Sequence, residues 1–277
     1  MLSFGGFVAA YSTVNYISRN MDNVLIGKFC GVEQLGYYAR AYFLMTLPTL
    51  LGAGMLAGVM VPALSALQGD PARMANAHHR AIRWSALLGI PMATGLAVLA
   101  PEFVRFVYGP KWTPVGPILV WLCIAGVIQP VQGVANWLYL VTGRGRALFF
   151  VGLGISIVTV AAFALGVKSG PVGVARAYAI ANTICAGPQM FIAYRIAHLR
   201  IRRALAEVAK ILASAAVTGL VAFTAAMLLH NADYRLRLLT GIAAGGCAYI
   251  ICLRAWARDS WQEVLQAAKS TFDASLN

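Results

Sequence analysis

The sequence predicts an all-α fold, a polytopic membrane helix bundle of about eight transmembrane helices. Two observations predict it. Of the 277 residues, 60% are hydrophobic and only 11% are charged, whereas soluble domains carry roughly 25% charged residues. Most of the surface must therefore face something other than water. The apolar residues also fall into runs of about the 20 residues that a helix needs to cross a hydrocarbon core. These runs are 2–27, 35–65, 82–100, 115–141, 147–167, 172–194, 208–229 and 236–256.

The first run follows Met1 with no basic stretch ahead of it, so it reads as a span and not as a cleavable signal peptide. The second is long and broken by Pro48 and Pro62, which membrane helices tolerate where neighbours satisfy the freed carbonyls. The first, fourth and sixth carry polar stripes. The fifth, seventh and eighth carry none and read as lipid-facing or peripheral helices. The stretch from Asp259 to Phe272 sets Trp261, Val264, Leu265 and Ala268 on one side of a short surface helix. The expected organisation is a six-helix bundle over 1–200, two additional transmembrane helices over 201–258 and a cytoplasmic tail over 259–277. No soluble domain or long linker interrupts it.

The formal net charge is +13. In a soluble protein such a balance points to nucleic acid. Here the basic residues sit between apolar runs, so an anionic membrane surface explains them without nucleic acid. Arg73, Arg80, Arg83, Arg144, Arg146, Arg195, Arg200, Arg202, Arg203, Lys210, Arg254, Arg258 and Lys269 fall on one side of the alternating loops. Lys28, Arg105, Lys111, Lys168, Arg235 and Arg237 fall on the other. The richer side is expected to be cytoplasmic, which places both termini there, in a bacterial cytoplasmic (inner) membrane. The five cysteines are scattered, and all but Cys30 lie in apolar runs, as small packing residues do. Three of the four histidines, His78, His79 and His198, fall in the expected cytoplasmic loops. No carboxylate pair, phosphate loop or metal-ligand spacing is visible. The expectation is no enzyme, no catalytic residue, no cofactor and no metal.

Polar residues inside spans face a bundle interior or a wet cavity. Ser12, Asn15, Arg19 and Asp22 step by three, four and three, which places them on one helical face. Gln129, Gln132, Asn136 and Tyr139 repeat those steps, and Tyr178, Asn182, Cys185 and Gln189 step by four, three and four, with Arg176 just before them. Two readings stand. One is interhelical hydrogen bonding; the other is a shared polar cavity, in the outer half of the bundle, with Arg19 and Asp22 paired inside it. Ala39-Arg40-Ala41-Tyr42 and Ala175-Arg176-Ala177-Tyr178 share a tetrapeptide, each a few residues after a glycine, as in an internal repeat or by chance in a chain rich in Ala and Tyr. Gly54–Gly58 and Gly241–Gly245 match the small-residue packing spacing.

Residues 19–42, with Asp22, Ile26-Gly27 and Gly31-Val-Glu-Gln-Leu35-Gly36-Tyr-Tyr38, resemble the polysaccharide flippases of the multidrug/oligosaccharidyl-lipid/polysaccharide exporter superfamily. Val61-Pro62-Ala63-Leu64-Ser65 and Tyr108-Gly109-Pro110-Lys111-Trp112 are similar to further family segments. The resemblance runs over roughly residues 10–200 and is best for the Wzx-like branch, which handles lipid-linked oligosaccharides. It implies the second bundle of the MATE-like fold plus two C-terminal helices, and hence a truncated or split chain, or one that needs an N-terminal half bundle as partner.

The resemblance implies that an undecaprenyl-diphosphate-linked oligosaccharide moves across the cytoplasmic membrane for surface polysaccharide or lipopolysaccharide biosynthesis. Its partners would be that glycolipid, membrane lipids and polysaccharide assembly proteins. The candidate substrate-binding residues are Arg19, Asp22, Arg40, Arg176, Asn15, Gln132, Asn136 and Asn182. Arginine offers phosphate a bidentate fork; Asp22 is either a coupling carboxylate or the partner of Arg19. Three alternatives are a cation-coupled multidrug exporter of the same superfamily, a membrane glycosyltransferase or polymerase, and a non-transporting subunit of an export complex. The first calls for acidic cavity residues, and the second for a sizeable outer loop carrying a carboxylate or His pair.

The charge asymmetry makes topology testable. Reporters fused after Arg83, Arg146 and Arg203 are expected in the cytoplasm, and those fused after Lys111 and Lys168 outside. An external reporter after Arg203 would reverse the arrangement.

Overall fold

The computed structural model describes residues 2–256, and all the long elements among them are helices. They are α1 (Leu2–Cys30), α2 (Val32–Thr49), α3 (Met55–Ala66), α4 (Pro71–Val98), α5 (Ala100–Tyr108), α6 (Val115–Val141), α7 (Gly145–Gly166), α8 (Gly170–Ile196), α9 (Ile201–Leu228) and α10 (Tyr234–Trp256). The expected surface helix over Asp259–Phe272 lies outside the described residues.

Six helical stretches are long and apolar enough to cross a membrane. One of them, Gly145–Ile196, folds back through a short turn into α7 and α8 and so makes two passes. The 29-residue α1 carries Arg19, Asp22 and Lys28 and is not among the six; it lies along α7. The described residues thus form eight long helical passages of a multi-pass membrane protein.

The second passage is the irregular one. Pro48 has no N–H to give the carbonyl one turn earlier, and immediately beyond it the chain widens into a π turn at Leu50–Gly54 before α3 resumes the helix. Pro62 sits inside α3 without ending it. Between α1 and α2, Gly31 takes φ +91°, a conformation that a side chain rarely adopts, and its carbonyl accepts from the Leu35 amide at 3.1 Å. The Gly-x-x-x-Leu spacing of the family-like segment is therefore the turn that starts α2.

Two helices begin earlier than their apolar runs. Asp70 caps α4, its carboxylate accepting from the Ala72 and Arg73 amides at 3.1 and 3.0 Å, with Pro71 in the first turn. Hence His78, His79 and Arg83 are helical and buried, not loop residues as expected. Hydropathy marks where the chain meets the hydrocarbon, whereas the cap marks where the helix starts. His78 ties three helices together, with Nε2 3.2 Å from the Val134 carbonyl oxygen and Nδ1 3.4 Å from the Tyr194 hydroxyl. In the same way α9 starts at Ile201 and brings Glu207 against Arg83, at 2.9 Å. At the opposite end the expected loop is the short helix α5. Its Glu102 accepts from Arg237 of α10 at 2.5 Å, and Arg105 lies over the Tyr234 ring at 4.6 Å.

Helix α6 lies at the centre, packed against α2, α4 and α8. Its first half, Val115 to Ala125, belongs to one apolar cluster with Ile26, Tyr38, Leu44, Phe163 and Val174. Its second half, Val131 to Val141, belongs to another with Leu64, Ile82, Tyr194 and Ile211. Backbones meet closely where α6 crosses α4. A Cβ on Gly89 would lie 2.7 Å from Pro130 Cβ and 3.1 Å from the Pro48 carbonyl oxygen. Of the two sequence glycine pairs, Gly241 and Gly245 do face neighbours, Leu99 and Ala222, whereas Gly58 faces open space.

Gly89→Ala is expected to lower stability by about 1–3 kcal/mol, because a proline ring cannot step aside. Gly187→Ala, where a Cβ meets nothing within 4 Å, should be neutral or slightly stabilising through helix propensity. Thermal unfolding of the two purified variants, compared with the wild type, checks this.

Candidate functional site

The polar stripes converge. A cavity of about 740 Å³ opens between α1, α2, α6, α7 and α8, and Asn15, Arg19, Gln132, Asn136 and Asn182 all line it. Gln129, Asn182 and Asn15 lie near the middles of their helices, so the cavity sits near the middle of the bundle's length.

Its α6–α8 wall is a network of amides. Gln132 Nε2 donates to Gln189 Oε1 at 3.3 Å, and Gln189 Nε2 donates to Asn136 Oδ1 at 2.8 Å. Gln129 Nε2 donates to the Tyr178 hydroxyl at 2.9 Å, and Thr49 donates to Gln129 Oε1 at 3.3 Å. Asn182 donates to the Ala125 carbonyl at 3.3 Å, and the Tyr139 hydroxyl to the Gln189 carbonyl at 3.0 Å. Both sequence readings therefore hold at once: the same side chains bond across helices and line a cavity. Bonding fixes their rotamers, which keeps the wall polar without letting it collapse.

Arg19 is exposed to this cavity from α1, among the phenols of Tyr178, Tyr42 and Tyr11. The other charged candidates lie elsewhere. Asp22 is buried away from the cavity and accepts from the Tyr38 hydroxyl at 2.8 Å and the Asn23 amide at 2.6 Å. The expected Arg19–Asp22 pair is not among the ion pairs of the described residues. Arg40 is exposed and lies 5.9 and 5.7 Å from the Tyr108 and Trp112 ring centroids. Arg176 is exposed on α8 and does not line the cavity. The shared tetrapeptide explains why. Two residues turn a helix by about 200°, so Arg40 and Arg176 point away when Tyr42 and Tyr178 face in, as both tyrosines do.

Several contributors went unmarked in the sequence, Tyr11, Ser18, Thr49, Ser156 and Thr159 among them. Tyr11 extends the α1 stripe by one turn, and its hydroxyl oxygen accepts from Asn15 Nδ2 at 3.3 Å. Ser156 and Thr159 line the cavity from α7, the fifth span, which is therefore not a purely lipid-facing helix. Their three-residue spacing is the signal, though small hydroxyls barely alter hydropathy. Gly152 lets α7 approach, since a Cβ there would collide with the Tyr11 ring.

The site therefore offers one guanidinium, several amides and phenols, and no carboxylate among its described lining residues. It can hold a polar, hydroxyl-rich or anionic group. Among the described residues no cluster of three His, Cys, Asp or Glu side chains forms a metal-binding group.

Residues 1–117 match the polysaccharide biosynthesis protein family. The chain is 26% identical over 254 residues to the teichuronic acid biosynthesis protein TuaB of Bacillus subtilis, covering 91% of this chain and 53% of that protein. It is 24% identical over 184 residues to the lipopolysaccharide biosynthesis protein WzxC of Escherichia coli, covering 66% and 37%. With the succinoglycan biosynthesis transport protein ExoT of Rhizobium meliloti the identity is 23% over 263 residues, covering 92% and 52%. The chain thus spans about half the length, or less, of these relatives. Its fold is that of the lipid II flippase MurJ in an inward closed conformation, with a TM-score of 0.74 at 21% identity over 90% of this chain and 52% of that one.

A charged thiol reagent is expected to modify Asn15→Cys and Asn136→Cys in a cysteine-free background, and to spare Ile180→Cys on the outer face of α8. Equal protection at all three positions would mean that the cavity is dry.

Proposed function

We propose that this chain, a relative of the polysaccharide flippases of the multidrug/oligosaccharidyl-lipid/polysaccharide exporter superfamily, forms one wall of a path that moves a lipid-linked oligosaccharide across the bacterial inner membrane. The carrying observation is the mid-bundle cavity, with a single arginine and an amide–phenol lining. Sugar hydroxyls match amides and phenols, which both donate and accept. A lipid-borne diphosphate matches Arg19, whose fork suits phosphate oxygens. The names of the relatives, all of polysaccharide biosynthesis or transport, support the same reading.

In this reading the chain is a transporter component and not an enzyme, with both termini cytoplasmic. A second bundle closes the open side of the cavity, since the matched relatives are about twice this length. Asn15, Gln132, Asn136 and Asn182 contact the glycan, and Arg19 the diphosphate. Asp22, Arg40 and Arg176 take no direct part: Asp22 anchors α1 to α2, and Arg40 packs on interfacial aromatics. A multidrug exporter for cationic compounds is disfavoured, because Arg19 faces the cavity and no carboxylate lines it among the described residues.

The test is export of surface glycan in cells that depend on the complete flippase. Arg19→Ala should reduce export by tenfold or more at unchanged expression, corresponding to one lost charge-assisted bidentate contact. Arg19→Lys should recover only part, since it keeps the charge and loses the fork. Arg176→Ala should export normally, and the 277-residue chain expressed alone should restore nothing. Normal export by Arg19→Ala would remove the arginine from the path.

A further inference from the structure

A second hollow lies away from the polar cavity, where α3 ends and α4 and α9 begin. It measures about 810 Å³, and Arg73, Asn76, His79, Arg80, Arg83 and Arg203 line it. Four guanidinium groups thus converge from two helices that the sequence alone left as separate basic loops.

The charge there is unbalanced. Glu207 accepts from Arg83 at 2.9 Å and lies 3.8 Å from Arg203. Asp70 lies 4.0 Å from Arg73 and gives its other oxygen to the cap of α4. Arg80 makes no ion pair among the described residues. Among the described residues two carboxylates face the four arginines, so positive charge is in excess, and like charges gathered in one hollow repel. His79 adds an independent mark: it is 5% exposed, lines the hollow, and its Nδ1 has no hydrogen-bond partner. A buried polar atom left unmatched costs about 1–3 kcal/mol. Asn76 accepts from Arg203 at 3.4 Å through its oxygen, which leaves its amide N–H groups for another acceptor.

Depth identifies the ligand class. The hollow adjoins the first turns of α4 and α9, just ahead of the apolar runs that start near residues 82 and 208. It therefore sits at the bilayer surface, the level of lipid phosphates. We propose that this hollow is a binding site for an anion that presents two phosphate groups and carries two or more negative charges, borne either by a lipid headgroup or by a soluble diphosphate. Arg80 and Arg73 supply unburied forks, Arg203 a third, and the Arg83–Glu207 pair holds α4 and α9 at the spacing that keeps them together. The site stands on its own geometry and does not require the transport reading.

The test uses the full chain, purified in neutral detergent and unfolded thermally with cardiolipin, phosphatidylcholine or inorganic pyrophosphate. Cardiolipin or pyrophosphate should raise the midpoint, and phosphatidylcholine should not. The double variant Arg73→Gln, Arg80→Gln should bind the active anion at least tenfold more weakly, as expected for lost charge-assisted contacts. It should keep the ligand-free midpoint of the wild type, since both side chains are exposed. A response to cardiolipin alone assigns the lipid, and a response to pyrophosphate, with or without cardiolipin, assigns the diphosphate group itself. A wild type indifferent to both anions, or a double variant that responds as the wild type does, overturns the proposal.

Discussion

The crossing of α6 with α4 and the broken second passage is the constraint on which the other parts rest. Pro130 packs on Gly89; Gly52 brings its backbone to the Ser85 carbonyl, where a Cβ would lie at 3.0 Å; and Gly133 faces Ala53, where a Cβ would lie at 2.9 Å. Ser85 donates to the Pro130 carbonyl at 2.9 Å. With no hydrophobic drive between helices in lipid, such close backbone contact supplies dispersion energy and shields polar atoms. The π turn after Pro48 belongs to the same node: it shifts the register so that Gly52 and Ala53, and not larger neighbours, meet α4 and α6.

Once three backbones are drawn together on one side of α6, its other side is free to be polar. Gln129 and Gln132 lie beside Pro130, at the level where the apolar clusters divide. The amides of α6 and α8 then bond to one another, and α1, held to α7 at Gly152, stands across from them. The cavity is thus a product of packing, since tight approach on one face of the central helix leaves a gap on the other that only hydrogen-bonding side chains line without collapse.

Much of this was legible in the sequence because two periodicities are strong. Apolar runs of span length gave the eight passages, and steps of three and four gave the stripes that converge, including Asn15, Arg19, Gln132, Asn136 and Asn182. What misled was charge read without phase. Arg40 and Arg176 open their spans and look like cavity residues, yet each sits about 200° around the helix from the tyrosine that faces inward. Asp22 keeps the phase of the α1 stripe, but Tyr38 claims it. Helix starts were displaced for a related reason: Asp70 and the polar face of 71–83 extend α4 beyond the hydrocarbon, where hydropathy is silent. Contacts between α4 and α9, which create the basic hollow, join residues more than a hundred positions apart, and no local pattern encodes them.

The distribution of cations by depth follows from electrostatic cost. A charge at the bilayer centre costs about 2.5–3.5 kcal/mol even on insertion scales, and less toward the interface. Among the described residues one arginine, Arg19, accordingly stands at mid-bundle among phenols and beside a cavity, and four gather at the surface end of α4 and α9. The carboxylates are placed by the same rule with the opposite aim. Glu207 is half-buried against Arg83 and Glu102 is buried against Arg237, where each locks two helices, and Asp22 faces a phenol. Each carboxylate near these sites is thus occupied in holding helices or capping them, while cations are left over in both hollows. A molecule built this way spends its acids on architecture and leaves its bases facing the two hollows.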